Sequence, residues 1–200
     1  MEYDSQKYRR RSIRLKDYDY SQAGAYFITI CAYNRACIFG DILEGQIKLN
    51  QYGEIVNLEW LKTNNMRTNL VLDAYIVMPN HIHGIISISH FDHRMGTMQR
   101  AHTFEHFGKP VSNSIPTIIR LFKSSVTKQI NALRGTPGVP VWQRNYYEHV
   151  IRNEDDLSEI REYILNNALK WDLDSENPKN LVCIRNYQLK DNKGHYDGTR

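Results

Sequence analysis

The sequence has no unbroken apolar run of the roughly 18 residues a bilayer-spanning helix needs, so no membrane span is expected. Its basic N-terminus lacks the apolar stretch of a secretory signal. Cysteine is scarce: Cys31, Cys37 and Cys183 form neither a metal-binding nor a redox spacing. An odd, unpaired set of thiols fits a reducing compartment, and a cytoplasmic protein is expected. The charge imbalance is small, a net +4, so bulk charge by itself names no polyanionic partner. Present instead is an ordinary globular composition, with 41% hydrophobic and 24% charged residues. The 200 residues suit one domain with a real core, and no internal repeat or second domain is apparent.

The distribution of charge says more than its sum. Lys7, Arg9, Arg10, Arg11, Arg14 and Lys16 crowd the first segment, with Tyr8 and Tyr18 close by. Cations neutralise phosphates and aromatic rings stack on bases, so residues 1–20 read either as a nucleic-acid-binding arm or as a solvated tail. A domain over 21–175 follows, and a polar C-terminal tail over 176–200, with the chain from Asp172 onward expected to be loosely held.

Within the domain, residues 25–32 are an apolar run of strand formers, and 38–49 read as further strand around a Glu44-Gly45 turn. Tyr52, Ile55, Val56 and Trp60 recur at helical spacing, predicting a helix over 51–63. Leu70 to Met78 and His81 to Ser89 flank Pro79-Asn80 as a strand pair. Residues 90–112 have no steady period and read as an irregular loop. Ile115, Ile118, Ile119, Phe122, Val126, Ile130 and Leu133 form a helical stripe decorated by Arg120, Lys123, Lys128 and Arg134. Trp142 to Ile151 reads as a strand. A last helix starts at the N-cap Asn153, with three acidic residues in its first turn and a stripe through Leu157, Ile160, Ile164, Ala168 and Trp171. This order predicts an α+β fold, a two-layer sandwich with a central antiparallel ferredoxin-like or RRM-like sheet and helices on one face.

On a strand, side chains alternate faces, so His81 and His83 project together while Ile82, Ile86 and Ile88 point to the other side. Two imidazoles at that spacing suit one divalent ion, although a His-X-His triplet on a half-exposed strand can equally be two solvated rings. On the last helix, Tyr163 and Asn167 are four residues apart and share a flank of the apolar stripe, with Asn166 on the opposite side. A tyrosine there can also be a boundary aromatic with a packed ring and a wet hydroxyl. Tyr146, Tyr147 and His149 lie in the preceding strand, where they can line a groove, stack or pack. His90, His93, His102 and His106 are irregularly spaced in the 90–112 loop, which favours solvation over a zinc site.

The stretch Met78-Pro79-Asn80-His81-Ile82-His83-Gly84 resembles the signature of the HUH superfamily of single-strand DNA nucleases. Within it, the chain resembles the single-tyrosine transposases of small insertion sequences, above all the REP-associated tyrosine transposase branch. The likeness runs from about Arg10 to Trp171 and includes Arg14-Leu15, Tyr18-Asp19-Tyr20, Gly24-Ala25-Tyr26-Phe27, Phe122-Lys123-Ser124, Trp142 and Arg152 to Glu154. Tyr163-Ile164-Leu165-Asn166-Asn167 matches the family pattern of tyrosine, isoleucine and, four positions on, an amide. One departure is Ala168, where the branch commonly has proline; alanine continues a helix more readily.

The resemblance implies that Tyr163 is the nucleophile, and that His81, His83 and Asn167 hold Mg2+ or Mn2+. It implies a covalent 5′-phosphotyrosine and a substrate of single-stranded DNA beside a hairpin such as a repetitive extragenic palindrome. Arg9, Arg10, Arg11, Arg14, Lys16, Arg120, Lys123 and Lys128 are then expected to contact DNA. A bacterial, nucleoid-associated protein acting as monomer or homodimer is implied. The readings that compete are a non-catalytic single-strand-binding module, a metal phosphodiesterase using water, and a replication initiator or relaxase. Relaxases often carry more histidines on longer chains.

Overall fold

Alternation of β-branched and aromatic residues makes β1 (Gly24–Cys31), β4 (Leu70–Val77) and β5 (His81–Ile88) the long strands of the sheet. The computed structural model describes residues 18–65, 67–89, 111, 113–174 and 176–180. Arg9, Arg10, Arg11, Arg14, Lys16 and nearly all of the 90–112 loop lie outside them. β2 (Gly40–Leu43) and β3 (Gln46–Leu49) form a separate two-stranded hairpin. Its turn residues Glu44 and Gly45 both have left-handed φ, 51° and 74°, as the tight hairpin turn requires.

α1 (Gln51–Asn65) begins where Asn50 Oδ1 accepts from the backbone N–H groups of Tyr52 and Gly53. α2 (Ile115–Arg134) ends at Gly135 in the left-handed conformation. α3 (Glu154–Asn166) starts as expected, with Asn153 accepting from the Asp156 N–H at 2.8 Å. β6 is confined to Tyr147–Ile151, shorter than the strand expected from Trp142. The cause is visible: the Lys123 ammonium donates to the carbonyls of Gln143, Arg144 and Asn145, which holds that lead-in away from the ladder. Trp142 keeps only an isolated bridge to Ala32.

The sheet order is β4-β5-β1-β6, with every neighbour antiparallel. The expected α+β sandwich is therefore found. α1 and α2 form its helical layer, packing Trp60, Ile118, Ile119 and Phe122 against Tyr26, Ile28, Ile30, Ile82 and Ile86. Gly84 belongs to this packing. A Cβ built there would lie 2.4 Å from Cζ2 of the fully buried Trp60. Gly84→Ala is expected to lower stability by about 1–3 kcal/mol through overpacking, read as a shifted denaturant midpoint.

The second face of the sheet carries the chemistry. There α3 lays Leu157, Ile160 and Ile164 over Phe27, Ile85, Ala74 and Ile76. Arg161 fastens α3 to Asp73 of β4 through two hydrogen bonds and draws that carboxyl below its usual range. No helix among the described residues is long and apolar enough to cross a membrane.

Candidate metal centre and nucleophile

Strand parity puts Cys31, Thr29 and Phe27 of β1 opposite His81, His83 and Ile85 of β5 on the second face. His81 and His83 are 0% and 3% exposed, which removes the reading of two solvated surface rings. Burial opposes the charged imidazolium. It pushes His81 down to about 3, helped by the charge of Arg35, and pushes His83 well below its usual value. Both rings are thus neutral at pH 7, the state in which an imidazole donates a lone pair to a metal.

The proton positions follow from Asn80. Its amide nitrogen donates to two backbone carbonyls, Arg35 at 3.0 Å and Glu176 at 2.7 Å. Its oxygen must then face Nδ1 of His81, 2.8 Å away, so Nδ1 carries the hydrogen and Nε2 keeps its lone pair. The Nε2 atoms of His81 and His83 are 2.9 Å apart. Two adjacent ligands on one ion, at right angles with bonds of about 2.1 Å, lie roughly 3 Å apart. His83 Nδ1 meets the Thr29 hydroxyl at 2.8 Å, a group that can either donate or accept and so tolerates either tautomer. Asn80→Ala is expected to leave His81 without its second-shell acceptor and to weaken divalent-ion affinity about 10- to 100-fold, measurable by calorimetric titration with Mn2+.

Tyr163 projects from α3 with its hydroxyl 3.2 Å from His83 Nε2. Its ring meets His83 and Phe27 edge-on, at 5.2 and 6.1 Å between centroids. Burial chiefly, and the Asp174 charge next, hold the phenol protonated above its usual range. A hydrogen bond from Asn167 acts the other way, favouring the phenolate. The Oδ1 of Asn167 is buried without a hydrogen-bond partner. Asn167 is 3% exposed and caps α3, which stops at Asn166. Ala168 has not lengthened the helix.

Asp174 was not anticipated. One ligand atom each from His81, His83 and Asp174 lies within 4.8 Å of the others. Asp174 Oδ2 is buried and, like Asn167 Oδ1, has no hydrogen-bond partner. The chain from Asp172 was expected to hang loosely, yet Asp174 and Asn177 are buried in it, while Leu173 is exposed. Trp171–Leu173 make a short 3-10 turn, Glu176 pairs with Arg35 at 3.0 Å, and Asn180 donates to the carbonyls of Asp172 and Asp174. No spacing in the sequence linked Asp174 to the histidines. Cys31 flanks the site, but burial and Glu176 push its thiol up to about 12, so it is a poor ligand.

Two neutral imidazoles and the partnerless buried Asp174 Oδ2 form a mixed nitrogen–oxygen donor set that fits a divalent ion such as Mn2+, with Mg2+ preferring more oxygen. The residues present fit the implied group, and Asp174 adds a negative charge that a His81, His83 and Asn167 shell alone would lack.

Other expected site residues sit elsewhere. Arg120 and Lys128 are exposed on α2, in the layer against the opposite face of the sheet. Lys123 is half-buried and spends its ammonium on backbone carbonyls, and burial lowers it to about 8. Tyr146 packs against the α1/α2 core, Tyr147 is exposed on the second face, and His149 pairs with Asp156 at 3.0 Å.

No family model matches the chain. It is 39% identical over 173 residues to an uncharacterized protein of Haemophilus influenzae, covering 86% of this chain and 95% of that protein. A solved structure of a REP-associated tyrosine transposase bound to a REP hairpin is similar with a TM-score of 0.51 at 19% identity, over 78% of this chain and 73% of that one. At that identity the likeness is one of fold, and the fold is the one the sequence motif implied.

Proposed function

Because this chain belongs to one family with the Haemophilus influenzae protein and has the fold of a REP-associated tyrosine transposase, we propose that it is a single-strand DNA endonuclease and strand transferase. The observation that carries the reading is the Tyr163 hydroxyl 3.2 Å from His83 Nε2, at the edge of a buried cluster of metal-ligand atoms. His81 and His83 would hold the ion, with Asp174 Oδ2 and, as the family pattern implies, Asn167 Oδ1 as the oxygen donors. A bound Mg2+ or Mn2+ supplies positive charge that polarises and orients the scissile phosphate.

The protein's own residues do the rest. Phe27 and His83 fix the Tyr163 ring by edge contacts, and Asn167 steadies its oxygen. The phenolic oxygen attacks phosphorus and loses its proton. The bond from phosphorus to the 3′-oxygen breaks, and that oxygen leaves as a hydroxyl after taking up a proton. The product is a 5′-phosphotyrosine, and a second 3′-hydroxyl reverses the step to join strands without ATP. The substrate is a single strand beside a hairpin, bound by a protein that works as monomer or homodimer in the bacterial cytoplasm at the nucleoid. Lys128 and Arg144 flank a groove beside α2, and with the basic arm and Arg120 they would grip backbone phosphates in a salt-dependent way.

The test is incubation with hairpin-flanked single strands and Mn2+, followed by mass analysis of the denaturation-resistant adduct. The adduct should map to the peptide containing Tyr163. Cleavage without an adduct would instead mean a water-using phosphodiesterase, and binding without cleavage a recognition module.

A further inference from the structure

α3 crosses the second face obliquely. It starts beside the far end of β6, where Leu157 and Ile151 share one cluster, and ends over β4 and β5, with Arg161 on Asp73 and Tyr163 on His83. β6 is an edge strand, and its first residue, Tyr147, is 54% exposed. Tyr147 pairs with Thr29, and Thr29 pairs with His83, so the three stand in one row across the sheet on the face that holds the ligands. Adjacent strands are about 4.8 Å apart, which sets Tyr147 roughly 10 Å to the side of His83.

The ring has one aromatic neighbour among the described residues. It meets Phe27 edge-on at 6.3 Å, and Phe27 itself stacks on His83 at 5.4 Å and meets Tyr163 edge-on. An aromatic floor therefore runs from the nucleophile through Phe27 to Tyr147. Tyr147 is too far along that floor to share the imidazoles, and it is open to solvent where the floor ends. A large exposed aromatic, braced by a buried one and one nucleotide's reach from a phosphate-binding centre, has the properties of a base-stacking platform.

Resting on the function proposed above, we infer that Tyr147 stacks on the unpaired base of a nucleotide flanking the scissile phosphate, and so sets which phosphate faces Tyr163. The stack is tolerant of base identity because every base presents a π-face. The platform belongs to the single-stranded part of the substrate, since a base paired in a duplex does not offer that face.

The test reads binding and chemistry separately. Fluorescence anisotropy gives Kd for a hairpin-flanked single strand, and for copies carrying one abasic site within two nucleotides on either side of the cut. Adduct yield is followed on the same strands. Tyr147→Ala should raise Kd about tenfold or more, and Tyr147→Phe should stay near wild type. One abasic position should cost wild type the same factor and add little further loss to Tyr147→Ala. Unchanged Kd in Tyr147→Ala, or abasic and alanine losses that multiply, overturns the stacking role. The abasic arm in wild type does not depend on any variant folding. If Kd follows this pattern but no adduct ever forms, the platform stands and the proposed chemistry fails. If the adduct forms while Kd ignores Tyr147, the reverse holds.

Discussion

Tyr163→Phe is expected to form no covalent adduct and to cleave at least about 10³-fold more slowly, while still binding DNA and metal. The substitution removes one oxygen and keeps the ring. Edge contacts with Phe27 and His83 persist, so the geometry of the site survives. The lost hydroxyl's hydrogen bond to His83 contributes about 1 kcal/mol to stability. The ligand atoms on His81, His83 and Asp174 are untouched, so Mn2+ binding by calorimetry should remain near wild type. That separation of chemistry from binding makes the variant diagnostic. Tyr146→Phe and Tyr147→Phe should still give the adduct. A Tyr163→Phe protein that gave it too would remove Tyr163 as the nucleophile.

The parts of this site that follow local periodicity were legible in the sequence. Alternation on a strand placed His81 and His83 together, and the i, i+4 rule placed Tyr163 with Asn167, because both depend only on neighbours along one element. The helices and their ends were legible for the same reason, from Asn153 at one cap to Gly135 at another. The depth of the histidines was not. Their burial depends on α3 crossing the sheet and on residues 171–174 and 176–180 folding back, and both are long-range events.

Asp174 shows that limit most clearly. Its carboxylate reaches the imidazoles because Glu176 is held by Arg35 and its carbonyl is taken by Asn80, contacts spanning most of the chain. The motif Met78-Pro79-Asn80-His81-Ile82-His83-Gly84 looks like a metal signature, yet the structure gives its members different tasks. Asn80 fixes a tautomer, Gly84 makes room for Trp60 on the opposite face, and only the two histidines offer lone pairs to an ion. Lys123 looked like a phosphate contact because a lysine on an amphipathic helix usually reaches solvent. Here three backbone carbonyls claim it, and the same bonds shorten β6.

Acid should unfold the metal-free protein unusually early. The folded-state values of His81 and His83 are depressed, to about 3 for His81 and well below the usual 6.5 for His83. An unfolded chain protonates both near 6.5. Below that pH the unfolded state therefore binds more protons than the folded one, and stability falls as pH falls. The contribution is complete above about pH 6.5 and is lost progressively toward the folded-state values. His81 alone loses about 2 kcal/mol between pH 6.5 and pH 5, and His83 adds a loss of the same sign. That is a large share of a typical domain's total stability of about 5–15 kcal/mol. The lowered carboxyls of Glu59 and Asp73 add their own loss only in more acidic solution, near and below their ordinary range. The window from pH 7 to 5 thus isolates the histidines. Denaturant titrations across it should show the steep slope in metal-free wild type and a much flatter one in the His81→Gln/His83→Gln double variant. Mn2+ should raise the midpoint by a similar increment at pH 7.5 and at pH 5, because the folded-state imidazoles stay neutral across this window and keep both Nε2 lone pairs for the ion. Equal slopes in wild type and the double variant would mean that the imidazoles are not held neutral by the fold, and the metal-ready state inferred for them would fall with that result.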